Sequence, residues 1–269
     1  MRPPASANTR EPTAFPVGGT VDAESTARPL RFTPRLDLPG QQLIVAGYTD
    51  ARERDEQVAD TFGSVQWLWS ENDFFRFDKD RLELCSATFY LPPRAAPHGA
   101  KLCREAPVPS SAPAGLRAGE PTDFELPQAT VFRCASDGAE LVCLRTPGLL
   151  ARQPYAVIGI APDVDLLIHD GALTGWRLSD PARWLTDGFA RPFPPSDAIP
   201  APSARTRHHL AECLRLTSAP VVDAVLDQDP AAWRDLLALQ RAVHAQAEDR
   251  ARADVLQSVL DRLVEDNGE

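Results

Sequence analysis

Two of the three Asp-Gly dipeptides stand between alternating apolar and polar residues, and they constrain the fold of this chain more than any other feature. Asp and Gly tolerate the positive φ angles of a short hairpin turn, and a side-chain period of two is typical of a half-buried strand. The turns at Asp137–Gly138 and Asp170–Gly171 therefore predict antiparallel hairpins over residues 131–145 and 161–178.

A third hairpin is predicted over residues 74–90, with its turn at Lys79–Asp80. This register pairs Arg76 with Glu83, and opposite charges directly across two strands stabilise a hairpin by roughly 0.2–1 kcal/mol. A calcium loop starting at Asp78 is the alternative, but the spacing excludes it. The sixth position of such a loop must be Gly and the twelfth Glu, and neither stands there.

Composition divides the chain into three regions. Residues 1–35 are rich in proline and lack an apolar period, which predicts a flexible, disordered arm. Residues 36–202 predict an antiparallel sheet domain that contains a long Pro-rich loop at 92–127. From 203 to 269 the apolar period becomes helical, and Asp229–Pro230 is typical of a helix start. The predicted fold class is α+β: a hairpin-built antiparallel sheet domain, a helical C-terminal region and a disordered N-terminal arm.

The formal charge of −10 argues against a nucleic-acid-binding protein, because such a protein needs a basic face. No apolar run approaches the length of about 18–20 residues that spans a bilayer, and the N-terminus lacks the apolar segment of a secretory signal. Arginine greatly outnumbers lysine, as in G+C-rich bacteria. We therefore expect a bacterial, cytoplasmic protein without membrane or nucleic-acid partners.

The five cysteines are odd in number and none is spaced Cys-x-x-Cys, which favours reduced thiols over disulfides or a zinc ribbon. The predicted hairpin over 131–145 puts Cys134 opposite Leu141 and Cys143 opposite Phe132. The two thiols would then be diagonal across the strands, too far apart for an easy disulfide.

Aromatic residues are the strongest candidates for binding. Eight of the nineteen aromatic residues fall within residues 62–90, more than one face of a hairpin can bury, so we expect some of them to line a groove. The predicted binding residues are Trp67, Trp69 and Tyr90, together with Trp176, which the predicted register places on the solvent-facing side of its strand.

Acid–base and metal-binding candidates are few. Asp163, Asp165 and His169 share one face of a predicted strand and are the candidate catalytic residues, as acid–base groups in a sheet cavity. His209 and Glu212 stand three apart on a predicted helix and are the candidate metal ligands. The second histidine of a helical zinc site is missing, so neither a metal nor another cofactor is predicted.

The chain also lacks the sequence motifs of a nucleophile elbow, a phosphate-binding loop and a dinucleotide-binding turn. The favoured function is a non-catalytic cytoplasmic binding or accessory protein, of the immunity or complex-assembly type, that acts through protein or peptide contacts. The alternative is an enzyme of unfamiliar type. A homodimer joined through the C-terminal helices is a further expectation.

Overall fold

The computed structural model of this chain describes residues 14–18, 21–64, 72–96, 112–191 and 199–267. The predicted α+β class is confirmed, with several antiparallel sheets and five α-helices in the described part. The strands are β1 (Ala14–Gly18), β2 (Val21–Thr26), β3 (Arg35–Asp37), β4 (Gln42–Val45), β5 (Thr61–Gly63), β6 (Phe74–Asp78), β7 (Leu84–Tyr90), β8 (Ala112–Pro113), β9 (Gly115–Ala118), β10 (Val131–Cys134), β11 (Glu140–Leu144), β12 (Ala156–Ala161), β13 (Val164–His169), β14 (Ala172–Ser179) and β15 (Leu185–Thr186). The helices are α1 (Ala51–Asp60), α2 (Ala204–Leu216), α3 (Ala219–Leu226), α4 (Pro230–His244) and α5 (Arg250–Asn267).

The strands form three sheets. Sheet I has the order β1-β2-β9, sheet II the order β15-β3-β4-β7-β6-β5, and sheet III the order β10-β11-β14-β13-β12-β8. The paired strands are antiparallel except for β15 with β3 and β8 with β12. Most antiparallel neighbours are joined by short connections, as expected of a hairpin-built domain.

Sheets II and III bury their facing sides in one hydrophobic core, which sheet I and the C-terminal helices also join. Phe75, Phe77 and Phe89 supply the aromatic part of sheet II. The ring of Phe89 lies 5.3 Å from that of Trp176 on sheet III and meets Phe75 edge-on at 5.5 Å. These separations are typical of favourable aromatic contacts. The side of sheet II that carries these phenylalanines is called its inner face below, and the opposite side its outer face.

The two Asp-Gly hairpins lie where the sequence predicts them. Cys134 is opposite Leu141 and Cys143 is opposite Phe132, as expected. The turn at 170–171 has positive φ at both residues, 50° and 77°, whereas the turn at 137–138 has a positive φ only at the glycine, 66°. The turn at 170–171 is therefore the turn that a two-residue hairpin needs, whereas residues 137–138 belong to a longer loop.

The prediction for Trp176 is wrong because β14 contains one extra residue. Leu167 pairs with Gly175 and Ile168 pairs with Leu173, which leaves Thr174 as a bulge between them. A one-residue shift moves the following side chains to the opposite face of a strand. Trp176 is therefore fully buried in the core rather than facing solvent.

The turn between β6 and β7 is longer than predicted, and this changes the position of Arg76. The Asp78 carboxylate accepts two N–H groups of the turn, at 2.7 and 3.0 Å, and Leu82 adopts a φ of 59°. Arg76 consequently lies opposite Ser86, and the predicted pairing of Arg76 with Glu83 is wrong. The guanidinium is free to bind elsewhere on the outer face of sheet II.

Residues 14–18 and 21–35 depart from the predicted flexible arm, and the predicted loop at 92–127 contains strands. β1 pairs with β2, and β2 pairs with β9 from within that loop. Phe15 and Val17 are buried, because short strands with alternating apolar residues can join an existing core even in a Pro-rich segment. The first thirteen residues of the predicted arm lie outside the described residues.

The C-terminal region is helical as predicted, and the charged stretch in its middle separates two helices. α4 ends at His244 and α5 begins at Arg250. α5 packs against α4, α2 and β15, so the apolar faces of these helices contribute to the core. The homodimer stays a prediction. Within the described ranges, no helix has both the length and the apolar composition to cross a bilayer.

Replacing Gly175 by alanine should destabilise the fold strongly. A Cβ atom at this position would lie 2.1 Å from the carbonyl oxygen of Cys143, so the backbone of β11 or β14 would have to move. We expect a loss of about 1–3 kcal/mol or more in the free energy of unfolding, measured with urea. Gly148→Ala is the control, since its Cβ would meet no atom within 4 Å. Equal stability of the two variants would contradict the close approach of Gly175 to Cys143 that accompanies the bulge.

Candidate functional site

The outer face of sheet II is unusually polar for a buried surface. Gln42 lies opposite Tyr90, and Thr88 lies between Ile44 and Phe74 on the neighbouring strands. Thr88 is buried and Tyr90 is half-buried. A polar residue that is buried is more informative about function than an exposed apolar one.

Helix α1 covers one edge of this face. Asp50 begins the helix by accepting the N–H of Glu53 at 2.9 Å, and the Glu53 carboxylate accepts the N–H of Thr49 at 2.6 Å. This reciprocal arrangement resembles a capping box. Helix α1 was not predicted from the sequence, although an Asp followed three residues later by a Glu is a signal of a helix start.

Between α1 and the sheet lies a cavity of about 450 Å³, which we call the outer cavity. Its volume is within the range of about 300–1,000 Å³ that is usual for ligand sites. Its lining combines aromatic rings, hydroxyl groups and both signs of charge. The lining residues are Gln42, Tyr48, Arg54, Asp55, Val58, Thr61, Ser64, Phe74, Arg76, Thr88, Tyr90 and Asp123.

Arg76 forms the floor of the outer cavity and is only 6% exposed. Its Nε donates to Thr61 Oγ1 at 2.9 Å, and its Nη2 donates to the carbonyl oxygens of Val58 (2.9 Å) and Thr61 (2.5 Å). These carbonyl groups belong to the C-terminal end of α1, where a cation is favoured. Burial lowers the pKa of Arg76, and the Asp123 carboxylate partly offsets that effect.

A second buried arginine, Arg35, lies behind the cavity wall. It donates to the carbonyl oxygens of Tyr48 (2.6 Å) and Ala46 (3.0 Å), and also to that of Phe189. Its guanidinium carbon is 5.4 Å from the centre of the Tyr48 ring, a distance typical of a cation–π contact. Burial lowers the pKa of Arg35 as well.

The remaining polar groups of the wall are hydroxyls and exposed charges. The hydroxyls of Tyr48 and Thr88 lie 3.0 Å apart, and burial raises the pKa of Tyr48, so this phenol stays protonated. Arg54 binds Asp55 with its Nε and Nη2 at 3.3 and 3.2 Å; Arg54 is half-buried and Asp55 is exposed. The Asp123 carboxylate accepts the N–H of Gly63 at 2.9 Å.

Of the predicted binding residues, Tyr90 lines the outer cavity. Trp176 belongs to the core, 5.3 Å from Phe89. Trp67 and Trp69 lie outside the described residues. Sequence reasoning missed the arginines of this site, because Arg76 was assigned to a cross-strand ion pair.

The predicted acid–base residues do not meet in the outer cavity. Asp165 is buried and accepts Arg177 Nε at 2.8 Å. His169 has its Nδ1 2.6 Å from Thr174 Oγ1, and burial lowers its pKa. Burial also raises the pKa of Asp163, which stands in a turn with a φ of 59°. The positions of Asp165 and His169 are thus explained by structural partners.

The two candidate metal ligands are engaged separately. His209 Nδ1 donates to Gln246 Oε1 at 2.7 Å, which joins α2 to the segment before α5. Glu212 accepts Arg215 Nε at 3.0 Å on the surface of α2. In the part of the chain that the structure describes, no three His, Cys, Asp or Glu side chains are grouped as metal ligands.

Comparison with protein-family models, with curated proteins and with solved structures gave no match. The chemistry of the outer cavity, and of the groups that hold it in place, is therefore what indicates the function.

One of these groups is Asp73, which directly precedes β6 and is only 4% exposed. Its carboxylate accepts the N–H of Tyr90 at 3.0 Å and so ties the start of β6 to the end of β7. Burial raises the pKa of Asp73 from 3.8 to about 7, against the opposing effects of this hydrogen bond and of Arg145. The folded state consequently holds this proton more tightly than the unfolded state.

Asp73 should make the protein less stable as the pH rises. The stability that its proton contributes is fully present below the unfolded pKa of 3.8 and is lost as the pH rises through the folded pKa of about 7. Asp73→Asn removes this dependence. The unfolding free energy of the variant, relative to the natural chain, should rise by about 3 kcal/mol between about pH 4.5 and pH 8. A difference that stays flat in urea titrations would contradict the assignment.

Asp165 should matter for stability rather than for chemistry. Asp165→Asn leaves the largely buried Arg177 without its closest charge partner, which should destabilise the fold by about 3 kcal/mol. Asp170→Asn is the matched control, because the ion pair of Asp170 with Arg152 is exposed and should contribute less than about 1 kcal/mol. Equal effects of the two changes on urea unfolding would argue against a structural role for Asp165.

Proposed function

We propose that this chain is a non-catalytic binding or accessory protein that holds a protein or peptide ligand in the outer cavity. The observation that carries the proposal is the cavity itself: about 450 Å³, lined by Tyr48, Tyr90 and Phe74 beside hydroxyl and charged groups. Aromatic rings with a few fixed polar groups are typical of ligand sites. An immunity-type or complex-assembly role in the bacterial cytoplasm is the biological setting that we favour.

The state of the described cysteines also supports binding over nucleophilic catalysis. Burial raises the pKa of Cys85 to about 11 and those of Cys134 and Cys213 to about 12, and it raises that of Cys143 still more strongly. These groups are thiols at neutral pH, whereas a nucleophilic cysteine must be a thiolate. The lining of the outer cavity contains neither cysteine nor histidine among the described residues.

Site-specific photo-crosslinking tests the proposal. Tyr90→p-benzoylphenylalanine places a reactive ketone in the outer cavity, and Tyr155→p-benzoylphenylalanine places the same group on an exposed loop, where Tyr155 is 77% exposed. After irradiation in lysate of the source cell, we expect a discrete adduct from position 90 and none from position 155, by mass spectrometry. Adducts of equal yield at both positions, or none at position 90, would sink the proposal.

A further inference from the structure

The outer cavity contains a buried positive charge that no carboxylate of the described residues pairs with. We propose that its ligand carries a carboxylate, borne on an aromatic or aliphatic body, which binds beside Arg76 and Arg54. The inference rests on the proposed function and names the chemical class of the ligand. It runs against the charge of the whole chain, which is −10 and on its own favours a basic partner.

The positive charge of Arg76 is not neutralised by its neighbours in the described part of the chain. Its hydrogen-bond acceptors are a hydroxyl and backbone carbonyl groups, and it forms no ion pair within the described residues. The C-terminal end of a helix is equivalent to only about half a negative charge. A net positive charge therefore remains at a side chain that is 6% exposed. Arginines buried to this extent are almost always paired with an anion.

Arg35 strengthens the same field from behind the wall. It is 2% exposed, is bonded to backbone carbonyl groups, and makes no ion pair in the described part of the chain. Its charge lies against the Tyr48 ring, which also lines the cavity. Low-dielectric walls concentrate the potential of such charges into a cleft.

The acidic groups of the lining oppose this field only weakly. Asp55 is 71% exposed and already pairs with Arg54, and Asp123 is also exposed. Two charges at a given distance interact roughly fourfold more strongly at a protein surface of effective dielectric about 20 than they do in water. The buried guanidinium groups thus outweigh the solvated carboxylates, and the interior of the cavity is positive.

Hydrogen-bond donors at the wall fit an anion as well. Arg54 uses Nε and Nη2 for Asp55, and its Nη1 makes no hydrogen bond to the described residues. Arg76 Nη1 makes only a long contact, 3.4 Å, with Ser64. One hydrogen bond joins the hydroxyls of Tyr48 and Thr88. It uses one of their two protons, so the other can be donated to a ligand. A carboxylate has the acceptor sites to satisfy such donors.

The apolar part of the lining indicates which chemical group accompanies the carboxylate of the ligand. Phe74 and Val58 lie beside the arginines, and Tyr48 and Tyr90 add two further rings. A bare inorganic anion would leave these surfaces in contact with water. An aryl or branched aliphatic group next to the carboxylate would bury them, as in a small organic acid or a peptide that ends in an apolar residue.

Paired acid and amide probes test the inference on the full chain. The first pair is 4-fluorobenzoate with 4-fluorobenzamide, and the second is acetyl-tetraalanyl-phenylalanine with a free or an amidated C-terminus. Backbone amide NMR shifts at Thr88 and Tyr90 report binding in the cavity. We expect each acid to bind about tenfold or more tightly than its amide. If the peptide acid is the tighter of the two acids, the ligand is a chain terminus. If fluorobenzoate is the tighter, the ligand is a free acid, and the protein or peptide part of the proposed function is wrong.

Two arginine variants on the same helix provide the matched control. Arg54→Gln should weaken acid binding about tenfold and leave amide binding unchanged. Arg52→Gln should change neither, because Arg52 is 87% exposed and pairs with Glu56. Both changes are on the surface of α1 and should leave the fold intact, whereas a change at Arg76 removes the bonds that hold this helix.

The inference is overturned if acid and amide bind equally, if the shifts map elsewhere, or if no acid binds at about 20 mM. An equal response of Arg54→Gln and Arg52→Gln would also overturn it. In each of these cases a specific adduct at position 90 would still support a cavity ligand. Failure of the carboxylate inference is thereby distinguishable from failure of the proposed function.

Discussion

The contact between Trp176 and Phe89 joins the two large sheets, and most of the architecture depends on it. Trp176 points inward because Thr174 adds one residue to β14, and Phe89 points inward because it alternates with Thr88 and Tyr90. Each aromatic side chain buries about 150–250 Å². The same alternation that puts Phe89 into the core puts its two polar neighbours on the outer face, so the core and the outer cavity are two sides of one strand.

The outer face of sheet II is stabilised by a balance between backbone carbonyl groups and guanidinium groups. Arg76 binds the end of α1, and Arg35 binds the segment after β4, so each arginine fixes a stretch of chain that has no sheet partner of its own. Carbonyl groups satisfy the hydrogen-bonding capacity of these cations without neutralising their charge. The structural task of the arginines therefore leaves a positive potential at the cavity, and the proposed recognition of an anion would be a by-product of holding α1 in place.

The sequence predicts those parts of the fold whose signal is local. The Asp-Gly dipeptides and the alternation beside them indicate two hairpins. The register of the hairpin over 131–145 is correct, with Cys134 opposite Leu141, although its loop is longer than two residues. The bulge at Thr174 has no comparable signal, since it reflects the close approach of Gly175 to the carbonyl group of Cys143 on another strand. The pairing predicted for Arg76 is wrong for a related reason. Glu83 has the opposite charge at the spacing that a short hairpin would need, whereas the observed acceptors are carbonyl groups at the C-terminal end of α1, a helix that was not predicted.

Sheet I contains a strand whose partner is synthesised much later. β2 pairs with β9, so Ser25 lies opposite Leu116, about 90 residues later. Synthesis at about 5–20 residues per second leaves β2 without that neighbour for roughly 5–20 s. During this interval its unpaired edge could add to a strand of another nascent chain. Asp22 and Glu24 stand on the exposed side of β2, and negative charges on such an edge discourage intermolecular pairing until β9 emerges.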